Sequence, residues 1–169
     1  VRAGDEVAFF PPVTAAKTMA IDMIQIQTET FDAGDLTRQL TAGTTAHGAV
    51  VSFVGLVRDQ AEHPVSALFL EHYSGMTEKA LTAIVAEART RWALGPITVV
   101  HRVGTLLPGE PIVFVGVTSA HRKQAFEACE FLIDYLKIKA PLWKKETSPQ
   151  GERWVASRAS DCEAAQRWR

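Results

Sequence analysis

The chain has 169 residues, of which 47% are hydrophobic and 22% charged. That length suits one domain of ordinary size, and that mix buries a core, which excludes wholesale disorder. Lys+Arg number 18 against 19 Asp+Glu, a net charge of -1, so the chain is no general nucleic-acid binder and any anion site must come from local clustering. No apolar run approaches the roughly 20 residues of a membrane span. The acidic, Pro-interrupted opening VRAGDEVAFFPPV is not expected to be a signal peptide. Cys129 and Cys162 are too few for a disulfide framework or a zinc site, which makes the cytoplasm the expected setting.

In chain order, Val7 to Phe10 reads as a short strand stopped by Pro11-Pro12, and Thr14 to Thr18 has linker character. From Ile21 the pattern is that of a mixed α/β domain. Ile24 and Ile26 alternate with glutamines, as in a half-exposed strand. Asp35 to Ala42 suits a short helix ended by Gly43. Strands are expected over Gly48–Val57 and Ala67–Tyr73, with a polar loop from Arg58 to Pro64 between them. The clearest helix runs from Met76 to Ala93, where Ala80, Ile84, Ala88 and Trp92 recur at four-residue spacing. Ile97–Val103 and Ile112–Ser119 read as a hairpin around the turn residues Leu107 to Glu110. A second long helix spans His121 to Lys139, barred from continuing by Pro141. Leu142–Thr147 and Arg153–Ser157 flank a turn at Ser148 to Gly151. Ser160 and Glu163 form a capping-box pattern that opens a last short helix.

Positive charge collects in three places. His121, Arg122 and Lys123 follow a strand and open a helix, where free N–H groups and the helix dipole favour an anion, although solvated first-turn residues look the same in sequence. Lys137, Lys139, Lys144 and Lys145 lie around Pro141. Lysines at a helix C-terminus simply complement the dipole, but Lys144 and Lys145 fall beyond the helix beside Leu142 and Trp143, where partial desolvation makes a lysine a usable base. Arg58 follows a strand, where a guanidinium can meet a phosphate. His47, His63, His72 and His101 lack metal-ligand spacing and read as surface or strand residues, and no metal or resident cofactor is expected. Spacing and composition alone thus reach an α/β domain with clustered cations suited to a small anion.

A resemblance extends this reading. GAVVSFVGLVR (Gly48–Arg58), LEHYSGMTEKAL, HRVGTLLPGE, VFVGVTSAHR, DYLKIKAPLWKKE (Asp134–Glu146) and RWVASR, in that order, strongly resemble the large, catalytic subunit family of molybdopterin synthases, from about Ile21 to the C-terminus. The resemblance implies a hammerhead-type α/β (α+β) domain with a small antiparallel β subdomain. It implies a homodimer that binds a small ubiquitin-like sulfur carrier at each end. It also implies conversion of cyclic pyranopterin monophosphate to molybdopterin, with two sulfurs delivered from carrier thiocarboxylates. By the same correspondence the catalytic lysines fall on Lys137 and Lys144. Substrate binding falls on Arg58, His121, Arg122, Lys145, Glu146 and Arg158, the last matching an arginine supplied across the dimer interface. Leu56 stands where the family usually has lysine.

The opening GDEVAFFPPVT (Gly4–Thr14) resembles instead the end of the sulfur carrier, with Ala15-Ala16 in place of the usual terminal Gly-Gly. This implies a carrier–synthase fusion in which residues 1–16 are a remnant of the carrier tail, 17–20 a linker and 21–169 the catalytic domain. A thiocarboxylate needs a free C-terminus, so this segment is not expected to donate sulfur itself. The alternative is a non-catalytic docking module whose tethered tail blocks its own pocket.

Overall fold

The structure, a computed structural model, describes residues 21–43 and 45–169. The proposed carrier remnant and linker lie outside the described residues. Two four-stranded sheets and four helices make an α+β fold among them. Strands β1 (Met23–Gln27), β2 (Ala49–Leu56), β4 (Ile97–Arg102) and β6 (Pro111–Ser119) form the first sheet in the order β1-β4-β6-β2. β1 runs parallel to β4, and the other pairs are antiparallel.

Helices α2 (Met76–Arg91) and α3 (Arg122–Lys139) cover one face of this sheet and α1 (Ala33–Thr41) the other. Alternation on β4 sends Val99 to the larger core with Leu81, Ile84, Val115 and Phe131, and Val100 to a smaller one with Leu36 and Phe114. Covered on both sides, β4 is buried at every position. β6 carries Gly116 where α1 crosses, because a Cβ there would stand 2.7 Å from Leu40 Cδ2.

The chain then changes sheets. Gly104, at φ +88°, takes a left-handed conformation that side-chain-bearing residues avoid, and it starts β5 (Gly104–Leu106). β5, β3 (Ala67–His72), β7 (Leu142–Ser148) and β8 (Gly151–Val155) form the second sheet, antiparallel throughout, in the order β5-β3-β7-β8. The expected hairpin is therefore present as the β4–β6 pairing, with β5 lifted out of it into the second sheet. Val57, Leu68, Leu70, Val103 and Leu106 fill the core beneath that second sheet.

Helix α3 stops where Pro141 stands, and the buried Thr77 hydroxyl donates to the Pro141 carbonyl at 3.1 Å, tying the start of α2 to the bend between α3 and β7. The last helix, α4 (Ala159–Gln166), packs on α3. Its N-cap is Arg158, with no side-chain cap, so the Ser160 capping box is not formed: Ser160 already lies inside the first turn. The ends are pinned elsewhere, by the Trp168 indole N–H donating to Asp134 at 2.7 Å and by an Arg167–Asp134 pair at 3.0 Å.

Candidate active site

Where the two sheets and the end of α3 meet, a cleft of 380 Å³ opens, lined by Arg58, Lys137, Lys144, Glu146, Arg158 and Asp161 among others. A wider cavity of 700 Å³ adjoins it, sharing Arg58, His101, Lys137, Lys144 and Arg158 and reaching outward past Phe53 and Leu56. Each cation arrives from a different element. Arg58 follows β2, and Val57 before it is buried and held to the 107–110 turn by its N–H to the Glu110 carbonyl (2.9 Å) and its carbonyl from the Gly109 N–H (2.8 Å). Lys137 rides the last turns of α3, next to the buried Leu136. Arg158 is carried by the segment that joins β8 to α4.

Lys144 owes its place to the pleat of β7. In the register with β3, Lys144 faces Leu70 and Glu146 faces Leu68, so both share the inner face with core residues. Lys145 faces Phe69 and lies on the outer side, its ammonium 2.9 Å from Glu152 and near the rings of Phe69 (5.5 Å) and Trp154 (5.7 Å). Lys145, expected among the substrate-binding residues, does not line the cleft of this chain, because successive residues of a strand point to opposite faces.

The electrostatics of the cleft are cationic with two built-in counter-charges. Lys137 Nζ stands 3.3 Å from Asp161 Oδ1, and Glu146 takes a 3.4 Å contact from Arg153. Lys144 keeps surface in contact with solvent, yet the cleft walls crowd its ammonium and strip water from it. That desolvation holds its pKa below the ordinary 10.5, the neighbouring Lys137 and Arg158 push the same way, and Asp161 and Glu146 oppose them. A lysine so placed exchanges a proton more readily than one on the open surface. Cys129 offers no nucleophile: it is buried, and burial pushes its thiol up to about 12.

His121 and Arg122 do not join this cleft within one chain. Both are exposed at the start of α3, whereas Lys137 is near its end. Fifteen residues of helix at 1.5 Å each separate Arg122 from Lys137 by about 22 Å. Arg158, by contrast, lines the cleft of its own chain. Leu56, 56% exposed, forms part of the rim.

Two lining residues escape the sequence reading. Asp161 is hidden because a carboxylate in a first helical turn ordinarily serves the dipole. His101 reads as a strand residue, and it is one, but it is 3% exposed and lines both cavities. Its Nδ1 lies 2.7 Å from the Arg102 carbonyl oxygen, and burial lowers its pKa from the ordinary 6.5 to about 4, so the ring is neutral. Val99 and Val100 before it and the buried Arg102 after it give no alternation from which its direction can be read. Among the described residues no group of His, Cys, Asp and Glu is arranged to hold a metal ion, and no helix is long and apolar enough to cross a membrane.

Fold and cleft together define an α+β protein with a cation-lined cleft assembled from two sheets and two helices. The chain belongs to the MoaE protein family, whose model matches residues 26–139. It is 58% identical over 146 residues to the molybdopterin synthase catalytic subunit of Yersinia pestis, covering 86% of this chain and 96% of that one. Among solved structures, it resembles the molybdopterin biosynthesis MoaE protein of Burkholderia ambifaria, with a TM-score of 0.76, 50% identity and coverage of 88% and 98%. The fold also matches a protein–protein complex of subunits 1 and 2 of the molybdopterin-converting factor of Helicobacter pylori, with a TM-score of 0.66, 23% identity and coverage of 79% and 90%.

Proposed function

We propose that this chain is the catalytic subunit of a molybdopterin synthase, a sulfurtransferase that converts cyclic pyranopterin monophosphate to molybdopterin with sulfur from a thiocarboxylated carrier protein. The observation that carries the reading is the pair Lys137 and Lys144, brought from a helix and a strand to one cleft with Arg58 and Arg158, in a chain of this family. The substrate's cyclic phosphate is a fixed anion, and guanidinium groups on two walls suit it. Sulfur transfer requires a proton to be given and taken close to the thiocarboxylate and the pterin side chain. Lys144, with its pKa held down, fills that role, and Lys137, kept in place by Asp161, supplies positive charge where negative charge develops.

The partner in this reading is a small ubiquitin-like carrier whose C-terminal tail enters the cleft. With Ala15-Ala16 in the Gly-Gly position, this chain takes sulfur from a separate carrier, and residues 1–16 are the relic of a fused one. A homodimer belongs to the same reading. Among the described residues β2 is an edge strand of its sheet, with Val50, Phe53 and Leu56 exposed, and Phe126 is 62% exposed near the start of α3. Pairing two copies through such surfaces would offer His121 and Arg122 of one protomer to the cleft of the other.

The test is turnover: the purified protein is mixed with cyclic pyranopterin monophosphate and thiocarboxylated carrier, and molybdopterin is assayed. Product from the parent and none without the thiocarboxylate is expected. Carrier binding without any product would instead identify a docking module.

A further inference from the structure

His101 is the buried imidazole of the cleft to which no role in sulfur transfer has been given. The Arg102 carbonyl can only accept, so the 2.7 Å contact fixes the proton on Nδ1, which donates. The ring is neutral, and Nε2 is therefore left as an unprotonated nitrogen with a lone pair. No described group donates to Nε2, and no buried side-chain nitrogen or oxygen lacks a partner among the described residues. Nε2 is thus not sealed in the core: it opens on the cavities that His101 lines.

The neighbouring polar groups give this lone pair its meaning. Arg58, Lys137, Lys144 and Arg158 present only donors. The carboxylates Asp161 and Glu146 are engaged by Lys137 and Arg153. The other side-chain acceptors of the lining, Gln60, Ser157 and Ser160, also carry donors, so His101 Nε2 is the remaining acceptor of the cleft that cannot itself donate. A phosphate, which accepts, is served by the cations and gains nothing from a second acceptor. A reduced pterin also carries ring N–H and amino donors, and these need an acceptor when water is excluded. We propose that His101 is a substrate-binding residue that accepts a hydrogen bond through Nε2 from an N–H group of the pterin ring, while the cleft's cations hold the phosphate end. This inference rests on the substrate named in the proposed function.

The experiment compares two ligands on the full-length chain by calorimetric titration: cyclic pyranopterin monophosphate and inorganic phosphate. His101→Asn keeps a donor for the Arg102 carbonyl and removes the acceptor at Nε2, whereas His101→Gln places an amide oxygen within reach of that position. H101N is expected to weaken pterin binding about 10- to 100-fold, the range for a ligand donor left unpaired in a buried site. H101Q should recover part of the loss, and phosphate binding should stay within about twofold in both. Thermal unfolding verifies that the variants fold, and if H101N does not, H101M replaces it as the acceptor-free variant. Pterin affinity unchanged in a folded acceptor-free variant overturns the inference. So does an equal loss for pterin and phosphate, which would mean that His101 acts by holding Lys144. A parent protein that binds phosphate but not the pterin overturns the substrate reading itself, and this inference with it.

Discussion

The two ends of α3 carry similar clusters of cations and differ in everything around them. At the start, His121, Arg122 and Lys123 are exposed. At the far end, Lys137 meets Lys144 from β7, Arg58 from beyond β2 and Arg158 from the start of α4, within a cleft that also holds two carboxylates. The first cluster is made by sequence adjacency and the second by topology. In the second, desolvation and the close like charges of its neighbours hold the pKa of Lys144 below its ordinary value. The contrast recurs one residue apart on β7, where Lys144 points into the cleft and Lys145 is tied to Glu152 outside it.

The sharpest way to break this comparison is to remove one lysine at a time. Lys137→Ala should lower molybdopterin formation by at least about 100-fold, the scale of a lost acid–base or charge-stabilising group. Because Lys137 is 44% exposed and its ion pair lies at the surface, the unfolding free energy should move by no more than about 0.5 kcal/mol. Lys144→Ala should also cut the rate severely, by about tenfold or more, and alter its pH profile. A base with a depressed pKa makes the parent rate climb with pH and level off below the ordinary lysine range near 10.5. That limb should vanish in the variant. Lys145→Ala should change the rate by less than about twofold, as befits an exposed ion pair away from the chemistry.

Stability against pH sharpens the account of the cleft floor. His101 titrates near 4 in the folded chain and near 6.5 when unfolded, so between those values the unfolded state holds the extra proton. Stability is therefore full above pH 6.5 and falls as the pH drops toward 4, by up to about 3 kcal/mol for this one group. Urea unfolding at pH 7 and pH 4.5 measures the loss, and His101→Gln should flatten it.

Much of the fold was legible because its signals are local. The stripe of Ala80, Ile84 and Ala88 marks α2, Pro141 ends α3, and turn residues mark the β7–β8 hairpin. The boundaries of α1 and α4 shifted because Asp32 caps α1 with its own carboxylate, bonded to the Asp35 N–H at 2.8 Å, and because Arg158 rather than Ser160 begins α4. Of the site, Arg58, Lys137, Lys144 and Glu146 line one cleft, and Arg158, which the resemblance assigns to the cleft across a dimer interface, lines that of its own chain. Alternation says that Lys144 and Lys145 oppose each other but not which of them faces inward, since that depends on β3, some seventy residues earlier in the chain. His101 was illegible for the opposite reason: on a strand covered on both faces every position is buried, and no alternation singles one out.

The central claim is that the carboxyl end of α3, not its amino end alone or the outer face of β7, is where substrate is held. A crystal structure of the protein with cyclic pyranopterin monophosphate tests it most directly. The account predicts the ligand in the cleft, with its phosphate oxygens about 2.7–3.2 Å from Arg58 or Arg158 and its side chain beside Lys137 and Lys144. A ligand seated against Lys145 and Trp154, or at His121 and Arg122 with the cleft empty, would contradict it.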